Sequence, residues 1–167
     1  MSADQAAADP PTLEADEARL AEVSIELAAA IIEAVPGWVS RIVLDRLGAV
    51  LPLDDGRAQR IDEIGSALAA SLAEPVLGVL TADVDSGVGT PLALIRAAVT
   101  PVTELLHELG VAPSGRDPFA AEHFPDDHYD LGPPSFAAID SSLHVLGLTW
   151  GAARAHVHLR RRREVAT

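Results

Sequence analysis

The sequence has no cysteine and no lysine, and only two Trp, one Tyr and three Phe among its 167 residues. Without cysteine there is no disulfide framework, thiolate zinc site, iron–sulfur cluster or cysteine nucleophile. All 12 basic residues are Arg, set against 30 Ala, a bias that GC-rich coding explains better than any mechanism. The most apolar run, Leu27 to Ile32, lies between Glu26 and Glu33, and nowhere do 18 apolar residues follow one another, so no membrane span is expected. Residues Met1 to Asp9 carry two Asp and no basic residue, the opposite of a secretory leader, and a cytoplasmic location is the expectation.

What is present is acid and helix. The formal charge is −13, with 49% hydrophobic residues, a composition that folds. The charge is uneven: residues 1–145 sum to −17 and 146–167 to +4. An anionic body repels phosphate, which disfavours nucleic acid and anionic lipid as partners; only Arg160, Arg161, Arg162 and Arg163 argue the other way. Those four cations also complement a helix C-terminus and suit pairing with the acidic N-terminal segment.

Residues 1–12 read as a mobile lead-in that ends in two prolines. Thr12 is a plausible N-cap, with Glu14, Asp16 and Glu17 in the turn that follows. Leu13, Leu20, Val23, Leu27, Ile31 and Ala34 mark one face of a first helix, which Pro36-Gly37 is expected to end. A second helix then runs from about 36 to 50. The third starts near Asp55, and the apolar phase of Ile61, Leu68, Leu72, Val76 and Leu80 continues through Pro75, favouring a kink over a break. The fourth begins at Thr90-Pro91 and stops at Gly110, with its continuity at Pro101 left open. β-strand signals are nearly absent. The fold class is therefore all-α: an antiparallel four-helix bundle over 13–110, an ordered Pro- and aromatic-rich wrap over 111–148, a terminal helix over 149–163 and a tail over 164–167.

The wrap holds five of the 12 prolines, every Phe and the single Tyr, and its densest polar stretch is His123-Phe124-Pro125-Asp126-Asp127-His128-Tyr129-Asp130. Two imidazoles and three carboxylates form a ligand inventory for zinc, manganese or iron, with His123, Asp126, Asp127 and His128 as ligands and His144 or His156 completing the shell. The spacing matches no named metal motif, and helix capping by Asp126 or Asp127 is the plainer use of these residues. His156 and His158 project about 200° apart on a helix and do not share one centre. His107 is expected to be partly buried. The loop 83–90 lacks both the bidentate Glu of a calcium site and the Lys of a phosphate loop, and reads as an interhelical connection. No nucleophile elbow or triad is recognisable.

Arg116-Asp117-Pro118-Phe119, His123 to Leu131, Leu143-His144 and Trp150 to Ala155 together resemble the C-terminal part of small acidic proteins from high-GC Gram-positive bacteria. The resemblance covers about 40 residues, carries no assigned activity and lends no catalytic residue; it implies an ordered Pro-rich segment. With no catalytic constellation, the expected function is a non-enzymatic interaction or regulatory protein. Its partner is a protein, met through Phe124, Tyr129, Trp150 and Arg160 to Arg163, with self-association left open.

Overall fold

A computed structural model describes residues 12–48, 52–82, 91–112, 122 and 141–166. Residues 1–11 of the expected lead-in, the 83–90 loop, and residues 113–121 and 123–140 of the expected wrap lie outside these residues. Among the described residues the protein is all-helical, with α1 over Leu13–Leu47, α2 over Asp55–Thr81, α3 over Pro91–Glu108 and α4 over Ser141–Val165.

Helix α1 starts where the sequence places it. Thr12 Oγ1 accepts from the Ala15 amide at 3.2 Å, and Glu14 and Asp16 occupy the first turn, where carboxylates meet the positive end of the helix dipole. Its end corrects the sequence reading. Pro36 lies inside a single 35-residue helix instead of separating two. Proline removes one amide donor, but buried apolar residues continue on both sides of it. Leu27, Val35, Val39, Val43 and Leu47 are all buried at multiples of four residues, so burial on both sides outweighs the lost hydrogen bond. Among the described residues, three helices, not four, thus occupy the segment before Gly110.

The same logic holds in α2 and α3, which run on through Pro75 and Pro101. Asp54 caps α2 by accepting from the Arg57 amide at 2.9 Å. Gly110, at φ 72°, ends α3 in a Schellman motif: its amide donates to His107 O and the Val111 amide to Leu106 O, while Leu106 and Val111 pack together as buried residues. Contrary to expectation, His107 is exposed.

Helix α4 begins eight residues before the predicted start at Thr149, so 141–148 belongs to a helix and not to a wrap. Leu143, Leu146, Trp150 and Val157 set its inward stripe, which Gly147 and Gly151 do not interrupt because the backbone hydrogen bonds of a helix do not depend on a side chain.

One core joins the elements. Helix α1 packs against α2, α3 and α4, and α2 also packs against α3. Leu27, Val39, Val43, Leu72, Val102, Leu105, Leu106 and Leu143 belong to a continuous buried cluster. Each such Leu is worth about 1.5–3 kcal/mol relative to exposure. Trp38 is buried in the same cluster, its indole N–H without a hydrogen-bond partner among the described residues. Helices α1 and α2 are long and apolar enough to cross a membrane by length and composition, though helices that pack a protein core meet the same criterion.

Candidate functional site

From Ser141 to Arg163, α4 carries no Asp or Glu, in a chain that is otherwise strongly acidic. Its inner face anchors it through one polar junction. Ser24 of α1 is fully buried and donates to Leu20 O at 2.7 Å, satisfying its hydroxyl within its own helix. The Trp150 indole N–H of α4 reaches both Ser24 Oγ at 3.1 Å and Leu80 O at 3.2 Å. Leu80 lies in the last turn of α2, whose carbonyls have no partner within the helix, so Trp150 supplies a donor that α2 lacks. One turn further along α4, Arg154 donates to Ala82 O at 3.3 Å, and its guanidinium lies 4.9 Å from the centre of the Trp150 ring.

The C-terminal cations pair with the start of α1. Arg160 meets Asp16 through Nε in an ion pair not aligned as a hydrogen bond, and His156 Nε2 lies 3.5 Å from the same carboxylate oxygen. Arg161 forks onto Glu17 Oε1, with contacts of 2.7 and 2.9 Å. The pairing expected from the charge split is therefore present for Arg160 and Arg161. The two pairs differ in surroundings: the Asp16 side chain is 16% exposed and that of Glu17 40%. Asp16→Asn is expected to cost about 1–2 kcal/mol and to keep much of that cost at high salt, whereas Glu17→Gln costs under about 0.5 kcal/mol and its effect vanishes near 1 M salt. Chemical denaturation of both variants at two ionic strengths checks the ordering.

The outer face of α4 is also apolar. Val145, Leu148, Ala152, Ala155 and Leu159 recur at three- and four-residue spacing on the side opposite Leu143, Trp150 and Val157; the three large residues are 62%, 63% and 55% exposed and both alanines are exposed. The stripe is flanked by His144, Thr149, His156 and Arg163, with no carboxylate. At its C-terminal end a recess of about 230 Å³ is lined by His156, Leu159, Arg160 and Arg163.

The predicted site residues scatter. His123, Asp126, Asp127, His128, Phe124 and Tyr129 lie outside the described residues. His144 and His156 are both exposed and stand 12 positions apart on α4, about 18 Å along the axis, so they do not belong to one metal shell. Among the described residues no group of three His, Asp or Glu could hold a metal ion. Trp150, expected to face a partner, turns inward and is half-buried against the core. Arg160 and Arg161 engage α1, while Arg162 and Arg163 are exposed. Sequence reasoning missed Ser24, Arg154 and the outer stripe. Arg154 was within reach of it, four residues after Trp150 on the same face. The outer stripe was hidden by starting the helix at 149, which removed Val145 and Leu148 from the pattern.

No protein-family model, curated protein or solved structure matches the chain.

Proposed function

We propose that the protein is a non-enzymatic, cytoplasmic interaction module: an antiparallel four-helix bundle that presents the outer face of α4 to an acidic helix of another protein. The bundle reading draws on register. Ser24 lies against Leu80 and Pro36 against Gly65, so positions descend along α2 as they rise along α1. Asp16 with Arg160 and Ser24 with Trp150 give α1 and α4 the same opposed sense, and Arg60 with Glu108 does so for α2 and α3.

The observation that carries the functional reading is the second apolar stripe of α4. A helix that only closes a bundle needs one apolar face, and this exposed stripe at coiled-coil spacing has no second strand among the described residues. Ala152 and Ala155 at its centre permit close backbone approach. The flanking His and Arg residues select a partner with carboxylates beside its own seam and set like charge against like in a self-pairing.

The test is a photo-crosslinking residue placed at Leu148 in the full chain, expressed in its native cell, with the same residue at the exposed Ser66 of α2 as control. The expected product is a link to an Asp- or Glu-rich helical segment of another protein. Links only to a second copy of the chain, links to lipid, or labelling no stronger than at position 66 each overturn the reading.

A further inference from the structure

A different part of α4 points to a ligand. On its inner side, beyond the Trp150 junction, a cleft of about 100 Å³ opens between α1, α2 and α4. Leu20, Leu80 and Val157 make its apolar wall, and Arg154, His158 and Arg161 line it from α4 at four- and three-residue spacing, so all three project from one helix face. No Asp or Glu is among the described residues that line it.

The three basic groups are not equivalent. Arg161 is forked onto Glu17 and largely neutralised. Arg154 spends one N–H on Ala82 O and one face on Trp150, which fixes the guanidinium plane and leaves most of its five N–H groups for another acceptor. His158 stands one turn further along and is only partly exposed. The cleft thus offers one immobilised guanidinium, an adjacent imidazole and a hydrocarbon wall. An inorganic anion would leave the wall against water, and a neutral apolar guest would bury N–H groups without an acceptor.

We infer that this cleft binds a short-chain aliphatic carboxylate, its carboxylate on Arg154 and His158 and its alkyl chain on Leu20, Leu80 and Val157. The planar fork of Arg154 matches a carboxylate, and fixing it in advance reduces the entropy lost on binding. The site is independent of the outer stripe, because the two occupy opposite faces of α4.

The test is titration of the full-length protein with acetate, butyrate and hexanoate at fixed ionic strength, followed by amide chemical shifts, with butyramide and inorganic phosphate as controls. Butyrate is expected to bind more tightly than acetate and to shift amides near Leu20, Leu80 and Val157, with both controls at least about tenfold weaker, the loss expected without a charge-assisted hydrogen bond or without apolar burial. Arg154→Gln should weaken butyrate by about tenfold or more. Leu20→Phe, which fills the cleft from α1 and leaves every charge in place, should abolish binding while circular dichroism stays native. Equal binding of butyramide, equal binding of phosphate, shifts confined to other residues, or no saturable binding would each overturn the inference.

Discussion

Gly65→Leu is expected to lower stability by more than about 4 kcal/mol, enough to leave α1 and α2 unpaired under ordinary conditions. Gly65 is buried in the middle of α2, directly against Pro36 of α1. A Cβ built there falls 3.0 Å from Pro36 Cα and 3.3 Å from Pro36 Cβ. Those atoms belong to a backbone held in helix on both sides, so neither can swing away as a side-chain tip would. Larger residues must push the two helices apart along the whole of their shared core. Alanine tests the balance more finely. It gains about 1 kcal/mol of helix propensity over glycine and meets an overpacking cost of about 1–3 kcal/mol, so Gly65→Ala should be neutral to destabilising. Gly78, in the same helix, has nothing within 4 Å of a built Cβ, and Gly78→Ala should therefore add about 0.5–1 kcal/mol. Thermal melts of the three variants suffice, and a Gly65→Leu protein as stable as the parent would show that Pro36 and Gly65 are not in contact.

The second large effect is at Trp150. Trp150→Ala is expected to cost about 3–5 kcal/mol, through lost packing against the core and through loss of the N–H donated to Ser24 Oγ and Leu80 O. Trp150→Phe keeps much of the ring and removes the N–H, and should cost about 1–2 kcal/mol. Ser24→Ala should cost less than about 1.5 kcal/mol, since the indole retains Leu80 O. The informative measurement is hydrogen exchange. In Trp150→Ala the amides of α4 should lose protection together while those of α2 and α3 lose much less, because α4 is attached chiefly to α1. Uniform loss across all four helices would contradict this division.

The helices were legible wherever a stripe and a cap agreed. Thr12 and Gly110 mark ends that local hydrogen bonding decides, and the stripe of Leu68, Leu72 and Val76 carried α2 through Pro75. Pro36 misleads because local and tertiary signals conflict there. Ala28, Val35 and Val39 share a phase, but a Pro-Gly pair is a strong local stop signal, and only the tertiary burial of both flanks shows that it is overridden. The role of Trp150 was not legible in kind. An amphipathic aromatic reads equally well as an interface anchor or as a core residue with a polar end, and the choice depends on Ser24 and Leu80, 126 and 70 positions away. The ion pairs of Arg160 and Arg161 were foreshadowed by the charge split of the chain, because complementary ends of opposite sign need no detailed geometry to be anticipated.

The closure of α2 by Trp150 and Arg154 also fixes an order of events in time. Leu80 and Trp150 are 70 positions apart. A ribosome adding about 5–20 residues per second takes roughly 4–14 s to travel that distance, while helices and their contacts form far faster. For those seconds α1 and α2 are complete, yet Ser24, Leu80 O and Ala82 O lack the indole and guanidinium that close them. The nascent chain thus carries this surface of α1 before it owns the helix that packs on it.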